Sequence, residues 1–199
     1  MKIVILVLSY LSIPVLAHSQ NIETVFQVHF KDKAIGTLHV IEQRDGDHSI
    51  RDLRTVTDTK IIAISVHVES EVKLIYKDGE LQQGTSYRHA NRGPADIHAH
   101  INKADTKVYE REKNGTKSII NDEITHCVVD LFFSEPKDVS RVFSNMHAEF
   151  LSIRQVKPGM YHVATPDGND SFYTYSAGSL VMVETDTPLG KVVSRRVKA

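Results

Sequence analysis

The residues best suited to chemistry in this chain are histidines. His98 and His100, with Asp96 just ahead of them, occupy alternate positions of an alternating stretch, so all three project from one face of a strand at about 6 to 7 Å spacing. His-x-His on a strand is an established way to hold zinc or iron, and eleven histidines in the chain make such a site worth weighing. The opposite face, Ala95, Ile97, Ala99 and Ile101, is the apolar one, which places both rings in solvent unless His67, His89 or His162 converges on them. A second candidate is Cys127 beside His126. A thiolate needs an adjacent base, but neighbours on a helix point about 100° apart, and Cys127 lies on an apolar stripe, where it reads as a small buried hydrophobe. The pairs Glu69/Glu71 and Glu110/Glu112 have strand spacing but stand among Lys and Arg, as on a solvated face. No Gly-rich phosphate loop, Gly-x-Ser-x-Gly or His-Glu-x-x-His occurs.

The elements that must position these groups are mostly strands. Phe26, Val28 and Phe30 alternate with Gln27 and His29, and Arg44-Asp45-Gly46, Lys77-Asp78-Gly79-Glu80 and Asn114-Gly115 are hairpin signals. Ser49 to Thr57 puts Ile50 and Val56 on one face. From Ile61 to Tyr76, Ile62, Ile64, Val66, Val68, Val72, Leu74 and Tyr76 share one parity, which predicts a single very long strand bent or bulged near Glu69 to Glu71. Leu81 to Arg92 is polar and reads as an exposed or edge strand. Beyond residue 139 the spacing predicts further strands, ending in a meander.

One stretch departs from this pattern. Ile124, Cys127, Val128, Leu131 and Phe132 fall at the i, i+3, i+4, i+7, i+8 spacing of a helix face, Asn121 or Asp122 stands where a cap belongs, and Pro136 follows. A helix this short is marginal alone and needs its apolar face against a sheet; burying five such side chains at roughly 1.5 to 3 kcal/mol each offsets that weakness. The predicted fold is mainly β, a strongly curved antiparallel β-roll or half-barrel wrapped around one central amphipathic helix.

The first residues, MKIVILVLSYLSIPVLAHSQ, carry one Lys, an apolar run broken by Pro14, and Ala17 and Ser19 at signal-peptidase spacing. They predict a signal peptide over 1–19, cleaved after Ser19, and a single β-roll domain over 20–199. The run is too short for a stable membrane span. A formal net charge of −1 with scattered basic residues gives no footprint for nucleic acid, and the basic tail Lys191, Arg195, Arg196 and Lys198 reads as the solvated side of a last strand. Cys127 is the single cysteine, so no internal disulfide can form.

The segments Ile124 to Pro136, Val142 to Ile153, Thr165 to Leu180 and Asp186 to Val193, with the opening hairpin Val25 to Val40, resemble a family of exported Bacteroidetes-type envelope proteins of unknown function, related in pattern to periplasmic β-roll or β-spiral proteins. The resemblance implies a curved antiparallel sheet around one helix and, from some relatives, binding of hydrophobic molecules or a role in envelope integrity. The chain departs from those relatives in lacking their disulfide and in having Ala148 where a Gly is usual.

The expected function is that of a non-enzymatic protein exported to the periplasm or outer envelope of a Gram-negative bacterium, with no cofactor. Either the helix fills its concave face and the residues there form only a core, or that face, through Val128, Leu131, Phe132, Val66, Val68 and Leu74, leaves room at its rim for a hydrophobic small molecule or an envelope protein. The alternative is a metal-dependent enzyme built on Asp96, His98 and His100. An aromatic docking surface of Phe132, Phe133, Phe172, Tyr173 and Tyr175 is a third expectation.

Overall fold

The computed structural model describes residues 20–61, 64–92 and 96–197, and the leader expected over 1–19 lies outside them. β1 (Gln20–Phe30) turns inward the alternating residues Phe26, Val28 and Phe30, and β2 (Lys33–Asp45) buries Leu38 and Val40 beside them. β3 (His48–Ile61), β4 (Ile64–Lys77), β5 (Glu80–Ala90), β6 (Ile97–Asp105), β7 (Val108–Lys113) and β8 (Thr116–Asn121) follow, each antiparallel to the strand before it. At Asn114-Gly115 both residues have positive φ, 49° and 82°, as a two-residue hairpin turn demands.

A long connection then leads to β9 (Arg141–Ser144), and β10 (Glu149–Lys157), β11 (Met160–Val163), β12 (Ser171–Ser176), β13 (Ser179–Thr187) and β14 (Gly190–Arg196) meander back until β14 pairs with β1. The result is one open antiparallel sheet of 14 strands, ordered β8-β7-β6-β5-β4-β3-β2-β1-β14-β13-β12-β11-β10-β9. β1 and β14 therefore lie side by side within the sheet, and the connection joins its two edges.

That connection lies on the buried face. Its 3-10 turn, Val128–Phe132, touches β3, β13 and β9 at once. In a flat sheet β3 and β9 would stand about 38 Å apart, eight strand spacings, whereas five residues of 3-10 helix reach about 10 Å. The sheet must therefore curl over the connection. Two contacts bring the β9–β10 turn onto the far arm: Lys113 Nζ donates to the His147 carbonyl at 3.3 Å, and Asn145 packs on Gly84 of β5. The core divides accordingly into two adjoining clusters, one around Phe26, Leu131, Val142 and Tyr173, the other around Leu74, Ile101, Cys127 and Phe143.

The central α-helix predicted over 124–133 does not form. Cys127 makes a parallel bridge to Phe143 of β9, and only Val128–Phe132 coil, as a single 3-10 turn. Burial is not one-sided either, since Val129 and Asp130 are as enclosed as Ile124, Cys127 and Leu131. Paired Val128-Val129 and Phe132-Phe133 are weak helix formers, and a segment that must reach mid-sheet and return between Asn121 and Arg141 gains length by staying extended, at about 3.3 Å per residue against 1.5 Å.

Two further expectations, on the run from Ile61 and on β5, are corrected, and β3 turns a face inward other than that of Ile50 and Val56. The run from Ile61 is not one bent strand: β3 extends to Ile61, β4 starts at Ile64, and their register runs without a bulge from Ile61↔Ile64 to His48↔Lys77. Residues 62 and 63 lie outside the described residues, and Ile62-Ala63 carries none of the Gly, Asn, Asp or Pro that announces a turn. On β3 it is Arg51 and Leu53 that turn toward the core, leaving Val56 exposed. β5 is an interior strand between β4 and β6, with Leu81 fully buried.

Candidate functional site

The concave face carries a charged chain that the alternation pattern hides. On β2, Glu42 shares the inward parity of Leu38 and Val40 and is 2% exposed; across from it on β3 stands Arg51. Arg51 Nε donates to Glu42 Oε1 at 2.8 Å and its Nη1 to Asp130 Oδ1 at 2.7 Å, while Arg44 Nε holds the other Glu42 oxygen at 2.8 Å. Asp130 belongs to the 3-10 turn. Its Oδ1 also accepts the Tyr76 hydroxyl from β4 at 2.7 Å, and its Oδ2 accepts the Cys127 N–H at 2.7 Å, which stops the turn from winding further back. The guanidinium of Arg51 lies between the rings of Tyr76 and Phe133, at 4.9 and 5.1 Å from their centroids.

This arrangement is suited to holding the connection in place and unsuited to proton transfer. Burial opposes the Arg51 charge, but the Asp130 and Glu42 carboxylates outweigh it and push its pKa up. Burial raises the Cys127 thiol far above its ordinary value, and the Asp130 charge adds to this, so the group stays a thiol. Tyr76 is raised in the same way, by burial first and then by neighbouring Cys127 and Asp130. With both Asp130 oxygens engaged, no free base faces Cys127. His126, the sequence neighbour considered as its base, is exposed and bonded to Thr125 Oγ1.

The residues expected to line a ligand pocket separate into two groups. Leu74 and Leu131 are 0% and 1% exposed, and Val128 and Phe132 pack against the core; the Phe132 ring stands edge-on to Phe26 at 5.7 Å and to Tyr173 at 5.9 Å. Val66 and Val68 are half-buried and lie outside both core clusters, toward the tip of the β3–β4 hairpin. The interior is thus occupied by the chain's own connection. Of the aromatic set, Tyr173 and Tyr175 are core, Tyr175 donating to the Leu131 carbonyl at 2.5 Å, whereas Phe172 turns to the other face and stacks on His162 at 4.8 Å.

Open space remains beside the connection. An open groove of about 560 Å³ runs along residues 135–140 and is closed by Ile153, Gln155 and Tyr161; charged and polar Glu135, Lys137, Asp138 and Ser140 outnumber Pro136 and Val139 on that edge, and the Tyr161 hydroxyl donates to Glu135 at 3.0 Å. A second, of about 470 Å³, lies on the outer face over Tyr87, His98, His100 and Glu112. His98 and His100 are exposed, as the alternation predicts, but Asp96 is held by His89 at 2.9 Å and the His98 ring packs on Tyr87 at 5.0 Å. His67 is engaged by Asp58 and Glu69, and His162 by Asp170. Among the described residues no three His, Cys, Asp or Glu side chains are gathered as metal ligands. Glu71 and Glu112 meet Arg54 and Lys117 on the solvated surface.

Sequence reading missed Glu42, Arg51, Tyr76 and Asp130 as a unit. The available signal was a charge at an inward position on consecutive strands, Glu42 after Leu38 and Val40, and Arg51 before Leu53.

The fold and this buried charge chain define an open, curled β-sheet protein closed over its own inter-edge segment. The chain belongs to the DUF6134 family, a domain of unknown function whose profile matches residues 26–197. No curated protein and no solved structure matches it. No helix among the described residues is long and apolar enough to cross a membrane.

Proposed function

We propose that this is an exported cell-envelope protein that acts by binding a hydrophobic small molecule rather than by catalysis. The observation that carries the reading is the groove beside the connection, where Pro136, Val139 and Ile153 meet the Tyr161–Glu135 pair. Its volume lies in the range of small-molecule sites, and its apolar patch of Pro136, Val139 and Ile153 is ringed by Glu135, Lys137, Asp138, Ser140 and Gln155, so a hydrophobic ligand seated there would carry a polar end. The filled interior favours this rim over the concave centre, because a ligand could reach Leu131 or Leu74 only by displacing the connection. The engaged state of Asp130 and the raised thiol of Cys127 support a non-catalytic role. Export rests on the leader-like residues 1–19 and on the pattern shared with Bacteroidetes-type envelope proteins.

The test is expression of the full chain in a Gram-negative host. Fractionation and N-terminal sequencing should find a mature protein beginning at Gln20 in the envelope or periplasm; an intact leader on cytoplasmic protein overturns export. Organic extraction followed by mass spectrometry should recover an apolar species from the wild type and not from Val139→Arg. Absence of any bound species, with no uptake of added fatty acid or phospholipid, overturns the binding role.

A further inference from the structure

On the concave face, away from the Arg51–Asp130 chain, β5 turns Gly84, Ser86 and Arg88 inward, and Ser86 stands in the ladder opposite Ala99, which stands opposite Lys113 on β7. The β9–β10 turn closes over this strip. Asn145 lies on Gly84 so tightly that a Cβ there would come 2.1 Å from its Nδ2, and Lys113 reaches the His147 carbonyl.

The strip is rich in polar atoms without protein partners. Ser86 Oγ, Arg88 Nε and both side-chain polar atoms of Asn145 are buried and make no hydrogen bond to protein, although Ser86 and Asn145 are only 5% and 6% exposed. Buried polar groups are almost always paired, and leaving one unpaired costs about 1 to 3 kcal/mol; of these four atoms Ser86 Oγ, Arg88 Nε and Asn145 Nδ2 can donate, whereas Asn145 Oδ1 only accepts. The charge balance names its sign. Arg88 and Lys113 form no ion pair among the described residues, unlike Arg51, the guanidinium at the centre of the same face, which holds two carboxylates. His147 lies within charge range of Asp167 and Glu149 as well as of Lys113 and Arg88, and burial first holds that ring below its ordinary pKa, so it adds no fixed cation of its own.

We propose that this strip binds an oxyanion, a carboxylate or a phosphate, through Arg88, Lys113, Asn145 and Ser86. A guanidinium Nε, an ammonium and an amide N–H₂ supply charge-assisted donors, and Ser86 rotates its hydroxyl to donate as well. The site is distinct from the rim groove beside Val139, and neither depends on the other. Gly84 and Ala99 keep the floor low enough for the turn to lie across it.

The test uses the full mature protein at constant ionic strength. Equilibrium dialysis and thermal unfolding are read against added phosphate, acetate and chloride. Saturable binding of phosphate, of acetate, or of both supports the site and decides which oxyanion it takes. Arg88→Met and Lys113→Met, checked by circular dichroism to retain the β-sheet, should each weaken that binding by about tenfold or more. Rescue by Arg88→Lys at half-strength or better would show that charge, rather than shape alone, is used. A wild type that binds neither oxyanion at millimolar concentration, or responds to both no more than to chloride, overturns the proposal. So does unchanged binding in a folded Arg88→Met, Lys113→Met double variant. Should either variant fail to fold, dialysis on the wild type alone still decides the question.

Discussion

Arg51 on β3 and Asp130 in the connection meet at 2.7 Å, beneath the rings of Tyr76 and Phe133, and this is the ion pair that fixes the inter-edge segment to the middle of the sheet. A pair so enclosed is weak evidence of net stabilisation, because both charges were desolvated to form it. Its disruption is nevertheless expensive.

Arg51→Met should therefore destabilise the protein by roughly 3 to 5 kcal/mol, since it strands Asp130 and takes one of two partners from Glu42. Asp130→Asn should cost less, because Arg51 keeps Glu42 as its counter-ion. Urea unfolding of the two variants checks the order; an equal or inverted pair of midpoints would mean that Glu42 does not compensate.

Acid sensitivity should trace to the same chain. Burial alone would raise the Glu42 pKa, but hydrogen bonds from Arg44 and Arg51 overcome it and hold the group below its ordinary 4.5. A carboxylate depressed in the folded state contributes stability that is present above its unfolded pKa and is lost as pH falls through the folded one. Stability should thus decline as pH drops below about 4.5, and Glu42→Gln should flatten that decline while lowering stability near neutrality. Unfolding midpoints between pH 3 and 7, taken as roughly the range where carboxylates titrate, test it.

Two glycines should respond differently to Ala. A Cβ at Gly36 would stand 2.0 Å from the Val56 carbonyl oxygen, a backbone atom of the adjacent strand, whereas at Gly84 the nearest atom is the side-chain nitrogen of Asn145. Gly84→Ala should cost about 1 to 3 kcal/mol and be partly relieved by Asn145→Ala in a double-mutant cycle; Gly36→Ala should cost more and have no side-chain remedy.

Cys127 should be inert in the native state. It is 1% exposed and its thiol is held protonated by burial. A maleimide should add to the protein only in denaturant, as read by the mass increase; rapid labelling of folded protein would mean that the connection opens readily.

Much of the fold was legible where local rules are strong. Alternation in Thr24 to Phe30, and in the part of Ala95 to Asn102 from Ile97 on, placed strands correctly, and Asn114-Gly115 a hairpin, because period and turn chemistry act over a few residues; Ala95 lies outside the described residues. The connection was misread because its apolar spacing satisfies a helix, whereas its conformation follows from distance: it must touch β3, β13 and β9. The break between β3 and β4 was missed because Ile62-Ala63 carries no Gly, Asn, Asp or Pro in the sequence. The charged chain was invisible for a related reason, since Arg51 and Asp130 are brought together only by the curl of the sheet. The resemblance led to a Gly being expected where Ala148 stands, and Ala148 does adopt a positive φ of 56°.

The pairing of β1 with β14 has a consequence for synthesis. Phe26 stands opposite Arg196 across the seam between β1 and β14, so two meanders, each able to zip locally, cannot be stitched together until β14 has been made. A nascent chain halted before Gly190 would keep the flank of the β1–β2 hairpin bare, an invitation to wrong partners that β14 removes.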